Sequence, residues 1–368
     1  MWKETSMSEK SVEEKLYSDD NLDVSTFKCK NCGGEAVFDP KTQKMKCLYC
    51  GSSFDIDNST VIKERDLSEL INGGDVWDET EVYQCKSCGA KEILSNQEVS
   101  VRCSFCGTSN IVKTEELPGL KPQGITPFKI PKEQANQIAV KWAKQKLYAP
   151  RSFKKSVKAE ALHGIYNPVF TFDALTKSSY NGTLGKNYTR YRFINGKRVA
   201  QTETRYFNIS GFQDVTFDDL LVQASSKIPT GIIKDIEPFP TKVALEYRTE
   251  YLRGYPASTY DKSGSDCWNE CKNIMDSTIE RQILKRYDYD VKVRLTVNTT
   301  YLNEQYKYVL VPVYVGHYNY KKKLYNFYIN GFNGKIGGKT PVSAVKVTFT
   351  VFIILALVAG VIAAIMLL

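Results

Sequence analysis

The sequence predicts an α+β fold: two small cysteine-knuckle β-ribbons, a mostly antiparallel α+β domain, and one C-terminal transmembrane helix. Three observations carry this. Eight of the ten cysteines fall in four CxxCG knuckles. Runs rich in Tyr, Phe, Val and Thr alternate with two amphipathic stretches. The final stretch, Thr348 to Leu368, holds no charge. With 368 residues, 42% of them hydrophobic, the chain can build two or three compact units.

Residues 1–26 are acidic and polar, the composition of a disordered tail. Residues 1–27 carry three Lys and seven Asp/Glu, a net of −4, which leaves +13 of the overall +9 for the remainder. The start, MWKETSMSEKSVEEK, has no apolar run and does not read as a signal peptide.

The knuckles come next. Cys29, Cys32, Cys47 and Cys50 form the first set; Cys85, Cys88, Cys103 and Cys106 repeat it further along the chain. The gap between the two CxxC pairs is the same in both sets. C-x2-C-x14-C-x2-C, twice over, is ligand spacing for two four-cysteine metal sites, one ion each. Zinc is the expected metal, and iron in a rubredoxin-like site uses the same ligands. Glycines 33, 51, 89 and 107 follow each second cysteine and permit the positive φ that turns backbone amides toward sulfur. Four protein ligands leave no open position, so the metal is expected to be structural. Residues 27–57 are therefore expected to form zinc ribbon one, hinged at Asp39-Pro40-Lys41; residues 58–82 a linker with a short helix near Glu64–Ile71 ended by Gly73-Gly74; and residues 83–114 zinc ribbon two. Two four-thiolate zinc sites add about −2 each, bringing the net charge near +5, too mild to demand a nucleic-acid partner.

Residues 115–344 are expected to be the α+β domain. Lys132 to Leu147 is an amphipathic helix begun at Pro131, with Ala135, Ile138, Ala139 and Trp142 on one face. Residues 165–222 are strand-like, with Asn181-Gly182 and Asn195-Gly196 as hairpin turns. Ser265 to Lys285 is a second helix, with Cys267, Cys271, Ile274 and Ile283 inward. Residues 291–330 return to strands around a Lys321-Lys322-Lys323 turn. Ile125-Thr126-Pro127-Phe128 echoes Ile236-Glu237-Pro238-Phe239, a hint of internal duplication.

Other candidate sites weigh less. Cys267 and Cys271 read as small core residues, since neither Cys nor His stands near them in sequence. His163 and His317, the only histidines, have no marked catalytic partners. Asn333 to Thr340 ends like a Walker A loop but has Asn where the first glycine belongs, so an NTPase is excluded. Lys141 to Lys158 holds seven basic residues and no acid, interleaved with Trp142, Tyr148 and Phe153. This suits lipid headgroups, nucleic acid, or a solvated helix face whose aromatics enter the core. Residues 346–368 contain the expected membrane span, about 30 Å at 1.5 Å per residue. Lys335, Lys339 and Lys346 precede it, so the N-terminal domains are expected on the cytoplasmic side of the cell membrane, where thiols stay reduced. Ala356, Gly360 and Ala364 share one face of the span and would let two copies approach, in a homo-oligomer.

With these residues in hand, the chain resembles bacterial membrane-anchored proteins with tandem transcription-factor-IIB-type zinc ribbons. The resemblance runs from Phe27 onward. It rests on the paired knuckles, on Gly119-Leu120-Lys121-Pro122 leading to Pro127-Phe128-Lys129-Ile130, on Ala149-Pro150-Arg151-Ser152-Phe153, on Gly164-Ile165-Tyr166-Asn167-Pro168, and on Asn330-Gly331-Phe332-Asn333-Gly334-Lys335. Such proteins often carry a tryptophan in the segment matching Val311 to Val315, where this chain has Tyr314. They are sometimes labelled primosomal-helicase-like, but helicase motor motifs are absent here. The resemblance implies zinc on the eight knuckle cysteines, while closed four-thiolate sites, a terminal anchor and no catalytic constellation lead to the expectation of a non-enzymatic membrane scaffold. It also implies protein partners among SPFH-domain and phage-shock-type stress-response membrane proteins. Nucleic-acid binding, in transcription or replication, is the alternative expectation.

Overall fold

The computed structural model describes residues 28–56, 62–71, 81–94, 102–114, 119–157, 162–194, 197–320 and 323–367. The acidic tail, Gly73-Gly74, Asn195-Gly196 and Lys321-Lys322 lie outside them. Strands β1 (Ala36–Asp39), β2 (Lys44–Cys47) and β3 (Ser53–Phe54) make a separate antiparallel sheet in the order β1-β2-β3. Its first turn is closed by Asp39, whose carboxylate accepts from the Lys41 amide and the Thr42 hydroxyl, both at 3.0 Å. Strand β4 (Arg65–Asp66) runs into α1 (Leu67–Ile71). The helix expected from Glu64 begins late because Arg65 and Asp66 pair with a strand, opposite Tyr306 and Gln305.

Strands β5 (Glu81–Cys85), β6 (Lys91–Leu94) and β7 (Ile111–Thr114) form the second ribbon. After β8 (Gly124–Ile125) come α2 (Lys132–Gln145) and α3 (Arg151–Ser156). Ala135, Ala139, Trp142 and Ala143 are the buried stripe of α2, with Ile138 packed at its margin. The body is dominated by three very long strands: β9 (Leu162–Ile194), β10 (Lys197–Gln223) and β13 (Val291–Tyr320). Between them lie α4 (Thr230–Ile236), β11 (Leu245–Glu246), β12 (Ala257–Ser258) and α5 (Gly264–Leu284); β14 (Lys323–Asn330), β15 (Ile336–Gly338) and α6 (Ala344–Leu367) follow. They build a 12-stranded sheet, antiparallel except where β8 pairs with β13 and β12 with β9.

One expected turn is absent. Asn181 and Gly182 sit mid-strand in β9, opposite Ser210 and Ile209 on one side and Thr296 and Leu295 on the other. Gly182 serves a close approach instead. An added Cβ would lie 2.5 Å from the Arg294 carbonyl oxygen, beside the bulge where β13 shifts register between Lys292 and Arg294. β9 therefore continues to Ile194, which pairs with Lys197 across residues 195–196.

Helix α5 packs Ile279 and Ile283 onto Tyr180, Leu184 and Ile209 of this sheet. Ser263 caps it, accepting from the Asp266 amide at 3.1 Å. Cys267 and Cys271 are fully buried in the same helix, and burial pushes the Cys267 thiol up to about 12, as expected of core residues rather than ligands. At the other end of the long strands, Phe128 stacks on Tyr255 at 4.1 Å, and the Tyr314 hydroxyl donates to the Ile130 carbonyl at 2.8 Å. Helix α6 carries the 20-residue apolar stretch Ala344–Ala363, mean hydropathy 2.5, none of it buried. It is long and apolar enough to span a bilayer. Its base is tied to the α2–α3 turn: the Ser343 amide donates to the Tyr148 carbonyl at 2.8 Å, and Lys346 Nζ to the Ala149 carbonyl at 2.7 Å.

Candidate metal centres

All eight knuckle cysteines converge in two clusters of four, the sulfurs of each within 4.8 Å of one another. Across each cluster the knuckles face in pairs: Cys29–Cys50, Cys32–Cys47, Cys85–Cys106 and Cys88–Cys103, each at 3.6 Å between sulfurs. A tetrahedral ion with bonds of about 2.3 Å needs sulfurs about 3.8 Å apart, whereas a disulfide needs about 2.05 Å. The geometry fits a metal, and all ten cysteines are free thiols.

The local sequence explains the convergence. After each CxxC the glycine takes φ between 68° and 72°. Its amide then donates back to the carbonyl of the first cysteine, as from Gly33 to Cys29 at 2.8 Å and Gly107 to Cys103 at 2.9 Å. This closes the knuckle and frees intervening amides to aim at sulfur: Asn31 to Cys29 and Tyr49 to Cys47, both at 3.4 Å.

The two centres differ in their surroundings. In the first, Cys32 and Cys50 are exposed, and so are Leu48 and Tyr49 of the second knuckle, at 62% and 77%. Ser52 stabilises the Cys50 thiolate through its hydroxyl and its amide and holds that thiol down to about 6. In the second, the outer thiols Cys88 and Cys106 are half-buried. The Cys103 thiol, despite burial, brings Cys88 down to about 5, and Cys103 itself is pushed up by that bond and by burial. Cys32 and Cys103 are raised in return, so each cluster shares protons among its thiols that a bound metal would displace.

The second centre also has neighbours that no motif announced. Glu92 is buried beneath it, accepting from the Ser104 amide at 2.9 Å and hydroxyl at 3.0 Å; burial pushes its carboxyl upward. Lys227 Nζ donates to the Cys88 carbonyl at 3.3 Å. His317 lies against Gly107 and stacks on His163 at 5.9 Å; burial lowers both imidazoles, His163 to about 4. The two histidines are a half-buried packing pair on adjacent strands. In the Lys141–Lys158 stretch, Trp142 and Phe153 are buried and pack edge-on at 6.1 Å.

No family model matches the chain, and no solved structure matches it. "Uncharacterized protein YdjG" of Bacillus subtilis (strain 168) is 30% identical over 331 residues, 88% of this chain and 92% of that protein. The chain belongs to the YdjG family. The shared region is long enough that it must include most of the 12-stranded sheet as well as at least part of the knuckle region.

Proposed function

We propose that this protein is a non-enzymatic, single-pass membrane scaffold with two structural zinc ions, recruiting protein partners at the cytoplasmic face. The observation that carries the reading is closure of both centres. Each presents four thiols at tetrahedral spacing, which leaves no coordination position for water or substrate. Zinc is the metal best suited to four thiolates in a reducing compartment. The apolar helix α6 supplies the anchor, and Lys335, Lys339 and Lys346 ahead of it favour a cytoplasmic body. The first ribbon, with Leu48 and Tyr49 exposed on its outer knuckle, is the recruiting element. By the zinc-ribbon resemblance, its partners are SPFH-domain or stress-response membrane proteins.

Burial of Trp142 and Phe153 counts against the nucleic-acid alternative, because the Lys141–Lys158 stretch then offers lysines without those two stacking surfaces. The test is an affinity pull-down of the detergent-solubilised full chain, with mass spectrometry. Enrichment of membrane proteins that is lost in Tyr49→Asp supports the scaffold. Nuclease-sensitive enrichment, or recovery unchanged by Tyr49→Asp, overturns it.

A further inference from the structure

The long sheet ends in a projecting arm. β13 begins at Val291, opposite Gly185, so beyond that point β9 and β10 run on alone as a two-stranded ribbon, residues 186–194 and 197–205. Two-stranded ribbons are marginal in water without a covered face, yet here Tyr188, Tyr191, Phe193, Ile194 and Val199 are exposed at 41–77%. The arm is also basic: it holds six Lys/Arg and one acid, Glu203, with Lys186 at its root paired to Asp288 and Asp290.

The arrangement along the arm is graded. Phe193 and Ile194, with Val199 just behind, form the apex, and Phe193 is 77% exposed. Lys197 and Arg198, just past residues 195–196, form a cationic collar, while Arg192 across from them is held by Glu203. Further back, Glu203 accepts from Arg192 at 2.9 Å, Arg190 at 3.4 Å and Tyr188 at 2.7 Å, which locks that part of the ribbon and neutralises part of its charge. Arg198 stacks 3.9 Å over the Tyr191 ring.

We propose that the tip of this arm docks on an anionic bilayer surface, the apolar apex entering the interface and the collar meeting headgroup phosphates. Charge complementarity selects the occupant. A second copy of the arm would bring like charges together. Nucleic acid would reward flat rings and free cations along the ribbon, but two apex residues are aliphatic and Glu203 engages two of the arginines. The arm also lies far from the anchor. From Val291 to Tyr318, whose hydroxyl meets Ser152 at 3.2 Å beside the base of α6, β13 covers about 90 Å of strand at 3.3 Å per residue. The arm therefore gives the protein a second membrane contact, remote from the first.

The test uses the full chain held by α6 in phosphatidylcholine nanodiscs, floated with vesicles of phosphatidylcholine alone or of phosphatidylcholine mixed with phosphatidylglycerol. Co-flotation at least tenfold greater with the anionic vesicles is expected, falling at least tenfold in the double variant Phe193→Asp/Ile194→Asp. That variant alters only exposed apex residues and leaves Lys141–Lys158 in place, so binding that survives it overturns the assignment to the arm. Contact with the anchor's own bilayer is read separately, as slowed amide exchange in 188–204 when the disc lipid becomes phosphatidylglycerol and no vesicle is present. Equal flotation with both vesicles together with equal exchange in both discs overturns the proposal. Capture of a single-stranded oligonucleotide without vesicle binding overturns it in favour of nucleic acid.

Discussion

The two ribbons share one ligand spacing and one knuckle conformation but differ in what surrounds them. The first keeps a three-stranded sheet to itself, although Ala36, Phe38 and Met45 on its inner face are buried in the core of the body. Phe38 packs against Tyr251 at 5.2 Å, and Gln43 donates to the Phe128 carbonyl at 2.7 Å. The second has given its strands to the main sheet: β6 pairs with β12, which in turn pairs with β9. Coordination chemistry alone would make the two equivalent. Their different strand pairing leaves the first docked on the core mainly by side chains and builds the second into the main sheet, and the same mutation should therefore read differently in each.

The largest effect is expected from Cys103→Ser. Structural zinc binding contributes about 10–16 kcal/mol in small zinc modules, and losing one of four ligands should forfeit roughly 5 kcal/mol of it. Because β5 and β6 belong to the 12-stranded sheet, that loss should reach the whole body. Thermal unfolding of the solubilised protein should shift or disappear, and bound zinc should fall from two ions toward one. Cys32→Ser should also remove one ion, but with a smaller loss of body stability, because the first ribbon gives side chains to the core and no strand to the main sheet, while recruitment through that ribbon is lost. Equal loss of body stability in the two variants would erase the distinction.

A smaller effect isolates packing from coordination. Gly51 and Gly107 follow matching cysteines at φ of 71° and 72°. A Cβ at Gly51 meets open space, whereas at Gly107 it runs into the His317 ring. Gly51→Ala should cost about 1–2 kcal/mol, from left-handed backbone strain alone. Gly107→Ala should cost about 1–3 kcal/mol more, since a half-buried imidazole must move. Denaturant midpoints at saturating zinc measure both.

Much of this could be read from residues alone, and the part that could not has a definite cause. The eight clustered cysteines, the apolar span, and helices α2 and α5 follow from spacing and from 3.6-residue periodicity, which are local properties. Alternation marks a residue as strand-forming but does not say which strand lies beside it. Asn181-Gly182 has the composition of a hairpin turn. Only the neighbouring Arg294 carbonyl shows that its glycine serves a bulge within a continuous strand. Glu92 was equally hidden, since a charged residue in Lys91–Leu94 reads as outward until β12 and Ser104 close over it. The fate of each ribbon is likewise a matter of partners distant in sequence.

Metal exchange tests the same contrast kinetically. With Cys32 and Cys50 exposed, a water-soluble chelator should strip the first ribbon at least tenfold faster than the second, where the outer thiols are half-buried. A colorimetric zinc-release trace should show two phases, and Cys32→Ser should delete the fast one.

The smallest expected difference is in acid. Cys50 and Cys88 are both held below the usual thiol range, to about 6 and about 5. A group whose folded-state pKa is depressed contributes stability above its unfolded value and loses it as pH falls through the folded one. Protons should therefore displace metal from both ribbons as pH falls, earlier from the first, whose outer thiols are open to solvent. Zinc released against pH, followed in the parent and in Cys32→Ser, measures each centre by itself. A single midpoint shared by both would mean that exposure of the outer thiols does not govern proton competition.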